Sequence, residues 1–242
     1  ARPRQFRSAL YRDGRDGTEG GVAAIRSTDP ALNSLVTLKA TSHGLSHGHY
    51  DKLTMAYYDN GNEILTDYGA SRFINIEAKY KGHYTKLNKG FAMQTIAHNT
   101  LTADGCSHFD ADIKRASDFH AEILFADFDR PDVQIVSAVD RNAYEGIAMR
   151  RTTAYVTTPF LQYPLILDLV KAESAAEHRY DLPYWYNGHM ISLNFPYERA
   201  VDRMVPLGEK NGYQHIWVEA EGRNTASNTA CYTWITGDRF YS

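Results

Sequence analysis

The chain predicts an all-β fold, a large antiparallel sandwich, on three observations. Apolar runs are strand-length and recur along the whole chain. Turn residues such as Asp29-Pro30, Asn33-Ser34 and Asp59-Asn60-Gly61 punctuate them. Helical periodicity is scarce, reaching at most a short turn around 75–80. Many short strands divided by turn signals are the pattern of two packed antiparallel sheets.

In order, residues 1–20 are polar and rich in glycine, and read as an irregular lead-in or linker. Residues 21–242 read as the sandwich domain. Its first strands are expected at 22–26 and 35–40, followed by a hairpin of 53–58 and 63–68 around Asp59-Asn60-Gly61. Further strands are expected at 133–139, 150–157, 165–173, 215–220 and 230–236. The first residues, Ala1-Arg2-Pro3-Arg4, lead into no apolar core of a signal peptide. Phe240-Tyr241-Ser242 stop inside a strand-like run, so both ends read as cut and the sandwich as truncated at its C-terminal end.

Composition narrows the function classes. A hydrophobic fraction of 43% and a charged fraction of 23% suit a soluble globular domain. A net charge of −3 gives no sign of a nucleic-acid partner, and no run approaches the roughly 18 apolar residues of a membrane span. The 17 tyrosines fit sheet composition and also fit sugar binding, since each offers an apolar face and a polar tip. Cys106 and Cys231 form no metal-type pair and read as two free buried thiols, with one long-range disulfide as the alternative.

Chemistry concentrates in His47-Gly48-His49-Tyr50-Asp51-Lys52, with Asp67, Tyr84 and His98-Asn99-Thr100 further on. In an extended segment His47, His49 and Asp51 share a face. Two imidazoles and a carboxylate are a common zinc set, although buried histidines also satisfy backbone groups. Whether Asp67 joins His49 depends on the hairpin. A two-residue turn at Asn60-Gly61 pairs Asp59 with Asn62 and sends Asp67 to the opposite face. A three-residue loop, or an equivalent bulge, brings it to the face of His49. The stretch Lys79-Tyr80-Lys81-Gly82-His83-Tyr84 surrounds phenols with cations, which favour the phenolate. It reads equally as a solvated basic loop. Neither a His-Glu-x-x-His helix nor a Gly-x-Ser-x-Gly elbow is present.

Several of these segments resemble one family. They are Ser46-His47-Gly48-His49-Tyr50-Asp51-Lys52-Leu53, Asp59-Asn60-Gly61-Asn62-Glu63-Ile64-Leu65, Asp67-Tyr68-Gly69-Ala70, Tyr80-Lys81-Gly82-His83-Tyr84 and Gln94-Thr95-Ile96-Ala97-His98-Asn99-Thr100. In this order they are similar to the heparinase II/III-type polysaccharide lyases, and most of all to the oligoalginate lyases of polysaccharide lyase family seventeen. The resemblance implies the C-terminal β-sandwich of a lyase whose other half is an α/α toroid absent from this chain. It further implies that His49, Asp67 and His98 hold a structural zinc ion, that Tyr84 is the catalytic tyrosine, that His47 neutralises a carboxylate and that Arg72 contacts substrate. The expected substrate is a uronate oligosaccharide or polysaccharide, alginate foremost. A related glycosaminoglycan lyase and a non-catalytic carbohydrate-binding module are the alternatives. A periplasmic or secreted location follows from a polymeric substrate, and a homodimer from the frequent pairing of family members.

Overall fold

The structure, a computed structural model, describes residues 7–29, 31–42, 47–67, 86–225 and 229–242. The first sheet is an antiparallel meander of β1 (Ala9–Arg12), β2 (Gly21–Arg26), β3 (Leu35–Lys39), β4 (Met55–Asp59) and β5 (Asn62–Leu65), in that order. Strand β1 lies inside the lead-in expected to be irregular. Gly14 and Gly17, both at positive φ, reverse the chain so that Ala9 to Arg12 pair with Ala24 to Gly21. Four residues beside a glycine-rich turn carry too little alternation to announce a strand.

A two-residue strand, β6 (Thr102–Ala103), precedes the second large sheet. That sheet is built from β7 (Glu122–Asp127), β8 (Val133–Tyr144), β9 (Ile147–Val156) and β10 (Leu165–Ser174), in the antiparallel order β10-β9-β8-β7. Strand β8 runs past the expected end at 139. The Asp140 carboxylate accepts from the amides of Asn142 and Ala143, which carries the chain through a bulge before the Gly146 turn. After β11 (Tyr180–Asp181), which pairs with β6, come β12 (His189–Leu193), β13 (Tyr197–Arg199), β14 (Ala220–Gly222), β15 (Tyr232–Thr236) and β16 (Arg239–Tyr241). Of the strand expected at 215–220 only Ala220 lies in a ladder, at the start of β14 opposite Arg199. The residues before it make isolated pairings, Ile216 with Leu207, Val218 with Val205 and Glu219 with Ala200.

The core sits between the two large sheets. Alternation along each strand turns Ala23, Ile25, Val36, Leu38 and Met55 toward Val136, Ala138, Met149 and Tyr155. Each fully buried Ile, Leu or Met side chain contributes on the order of 1.5–3 kcal/mol. The Gln134 amide donates to the carbonyl of Arg26 at 2.8 Å, a polar stitch between the sheets. Both cysteines are free, as expected, but neither is buried: Cys106 is half-exposed in a turn and Cys231 exposed just before β15. Among the described residues no helix is long and apolar enough to cross a membrane.

Candidate metal centre

Residues 94–100 form a buried loop between the sheets, and buried loops normally leave backbone groups unpaired. Here polar side chains solve that problem residue by residue. Thr95, fully buried, donates its hydroxyl to the Tyr50 carbonyl at 2.6 Å and accepts from the His108 amide at 2.8 Å. Ser107 bonds both the Thr95 amide and the Gln94 side chain. Thr100 donates to the Lys52 carbonyl at 2.6 Å. The short 3-10 turn Thr95–Ala97 then ends on His98, whose ring is fully buried. The polar residues of Gln94-Thr95-Ile96-Ala97-His98-Asn99-Thr100 are therefore the internal scaffolding of a loop that has no ladder to use.

Residues 47–54 are not extended, so His47, His49 and Asp51 do not share a strand face. Instead the chain turns at Leu53, a non-glycine residue at φ 60°. Asp51 forms a bidentate pair with Lys39, at 2.8 and 2.7 Å. Burial opposes ionisation of Asp51, but the Lys39 ammonium outweighs it and lowers the carboxyl pKa. The Tyr50 amide donates to the Met93 carbonyl at 2.9 Å, which ties the residue beside His49 to the chain leading into the 94–100 loop.

Asp67 arrives from the hairpin. Asn60 and Gly61 both have positive φ and form a two-residue turn that pairs Asp59 with Asn62. That turn alone would direct Asp67 to the wrong face. One step further the register shifts: Tyr58 opposes Glu63 but Tyr57 opposes Leu65, so Ile64 is an extra residue. The bulge restores the face that a three-residue loop would have given. Beyond β5 the chain exchanges partners, the Thr66 amide donating to the carbonyl of Trp185 at 2.8 Å.

His49, Asp67 and His98 consequently meet, with one donor atom from each lying within 4.8 Å of the others. The rings of His49 and His98 are 5.1 Å apart between centroids, and His98 Nδ1 lies 2.9 Å from the Asp67 carboxylate. Burial, reinforced by neighbouring His98, pushes the His49 pKa down to about 4, leaving a neutral imidazole with a lone pair at pH 7. Burial also opposes charge on His98, but the Asp67 carboxylate and its hydrogen bond outweigh it and raise the pKa. His98 Nε2 is buried with no hydrogen-bond partner among the described residues. Buried imidazoles normally satisfy both nitrogens. Two imidazoles, a carboxylate and an orphaned ring nitrogen therefore fit a divalent cation of intermediate softness.

Of the other expected site residues, His47 is exposed at the start of the same loop. Tyr84 and Arg72 lie outside the described residues, as do Lys79 to His83. Sequence reasoning passed over Lys39, which neutralises Asp51, and Arg151, and it singled out Asn99 without a role; Asn99 and Arg151 fix the loop from behind. The charge of Arg151 within an expected strand is the signal that could have pointed to the last of these.

Comparisons with known proteins identify the family. The family described as heparinase II/III-like, C-terminal, matches residues 10–237. The chain is 42% identical to an exo-oligoalginate lyase from Saccharophagus degradans over 99% of its own length and 32% of that protein's. It is likewise 42% identical to an alginate lyase from Stenotrophomonas maltophilia, over 100% of this chain and 32% of the relative. The chain thus spans about a third of the length of these curated relatives. Among solved structures, a heparan sulfate lyase from Pedobacter heparinus superposes with a TM-score of 0.56 at 14% identity, covering 95% of this chain and 36% of that one. A heparinase III does so with a TM-score of 0.56 at 12% identity, over 95% and 35%. At such identities the likeness concerns the fold, and the chain belongs to the heparinase II/III-like C-terminal family.

Proposed function

We propose that the protein to which this chain belongs is a β-eliminating lyase of uronate oligosaccharides, alginate foremost, acting in the periplasm or outside the cell. The observation that carries the reading is the convergence of His49, Asp67 and His98 from three separate segments. The 42% identity to two alginate lyases supports the substrate class. His49, Asp67 and His98 would hold zinc, which when bound fixes the geometry of their loops.

Elimination begins at C5 of the uronate, α to the C6 carboxylate. The Tyr84 phenolate takes the C5 proton, the C5–H electron pair becomes the C4–C5 double bond, and the C4–O bond breaks. The departing oxygen takes a proton, from the same tyrosine where proton and leaving group lie on one face. A carboxylate resists gaining further negative charge, so the site must neutralise it. His47 takes that role, at the exposed start of the loop that continues to His49. Arg72 offers a bidentate contact to the same carboxylate or its neighbour.

The test is ultraviolet absorbance of the unsaturated uronate product as the full-length protein acts on alginate oligomers. Tyr84→Phe is expected to lower the rate by about 100-fold or more. A variant that keeps the wild-type rate would remove Tyr84 from the chemistry. A second reading rests on the chain's spanning about a third of its relatives: alone it binds uronate oligomers without turning them over. Product formed by these 242 residues alone would refute that reading.

A further inference from the structure

We infer that Asn99 is the positioning residue of the metal centre, its side-chain amide joining the backbones that carry His98 and Asp67 and the Arg151 guanidinium bracing it from behind. The inference rests on the reading of His49, Asp67 and His98 as ligands, and extends it to residues that touch no ion.

Asn99 is fully buried and follows His98 directly. Its Nδ2 donates to the carbonyl of Thr66 at 2.8 Å, and Thr66 directly precedes Asp67. The second Nδ2 proton goes to the carbonyl of Met55 at 3.0 Å, and Oδ1 accepts from the Trp185 amide at 2.6 Å. One planar amide thus spans two ligand-bearing segments, a single residue away from each ligand. The Asn99 carbonyl in turn accepts from the Met55 amide and from Nη1 of Arg151.

Arg151 is fixed as firmly. Its Nε and Nη2 form a bidentate pair with Asp168 at 2.8 and 2.7 Å, while Nη1 also donates to the Leu53 carbonyl at 2.9 Å. Asp168 accepts in addition from the Tyr184 hydroxyl at 2.9 Å. The guanidinium is 1% exposed, so these bonds form in a medium where charge-assisted contacts are strong. Leu53 and Asn99 thereby hang from the β9–β10 pair, and the loops bearing His49 and His98 share one rigid support. A loop staple would need one such bond. Here donors are spent on the neighbours of the ligands themselves.

The full-length protein, stripped of metal with a chelator, is titrated with zinc against a chromophoric competitor, and its cobalt form is examined for ligand-field bands. Wild type is expected to bind one equivalent. Asn99→Ala is expected to bind about 10–100-fold more weakly, with altered cobalt bands. Asn99→Ser, which keeps one hydroxyl donor, should fall between and decides the matter if the alanine variant does not fold. Ile25→Val, which loosens the core on β2, should keep wild-type affinity and separates positioning from general destabilisation. Wild-type affinity and cobalt bands in the Asn99 variants would overturn the inference alone. A wild type that binds no zinc would overturn the metal reading and this inference with it.

Discussion

Acidification from pH 7 to pH 5 should cost this protein about 2 kcal/mol through His108 alone. His108 is fully buried, its Nδ1 accepting from the Lys52 amide at 3.2 Å and its Nε2 donating to the Leu101 carbonyl at 3.0 Å. That pattern uses the neutral ring, and burial pushes the pKa from 6.5 down to about 3. Below pH 6.5 the unfolded chain takes up a proton that the folded state refuses. The stability is therefore fully present above pH 6.5 and is lost progressively as pH falls toward about 3. At about 1.4 kcal/mol per unit, the loss by pH 5 reaches about 2 kcal/mol. Urea unfolding of wild type and His108→Gln at pH 7, 6 and 5 measures it. Glutamine cannot titrate, so the stability gap between the two proteins should narrow by about 2 kcal/mol across that range. A gap that stays constant would refute the assignment of a neutral, buried His108.

Two other perturbations follow from the same packing. Arg151→Met strands Asp168 without its charged partner and takes the donor from the Leu53 carbonyl, and is expected to cost about 3–5 kcal/mol in chemical denaturation, with a smaller loss in the Arg151→Met, Asp168→Leu double variant, where no buried charge is left unpaired. Gly188→Ala places a methyl group against the Ile235 carbonyl at a φ of 129°, and thermal unfolding should show a loss of about 1–3 kcal/mol.

Most of the sheet was legible because its strands alternate. β2, β3, β8, β9 and β10 begin within a few residues of where alternation and turn residues place them. The meeting of His49 with Asp67 was legible through residue type and the hairpin arithmetic, which admitted a bulge as an equivalent of the three-residue loop, whereas His98 joined them only through the family resemblance. What escaped was whatever lacked a period. Residues 47–54 look like an alternating strand, yet Leu53 adopts a left-handed backbone and Asp51 turns to Lys39. The 94–100 loop has polar residues that resemble a solvated turn, but they are buried because they replace a ladder with side-chain hydrogen bonds. Nothing local to Arg151 shows what it holds, an Asp168 carboxylate on neighbouring β10 and the carbonyls of two loops distant in sequence.

The extra residue at Ile64 makes the hairpin a matter of parity. Removing it would swing Asp67 away from the two imidazoles, and so would adding one residue to the Asn60-Gly61 turn; making both changes at once should restore the meeting. Natural versions of this segment should therefore vary in length only through compensated pairs of insertion and deletion. Directed evolution of the loop would have to cross an intermediate in which Asp67 and the imidazoles are parted to reach any other solution.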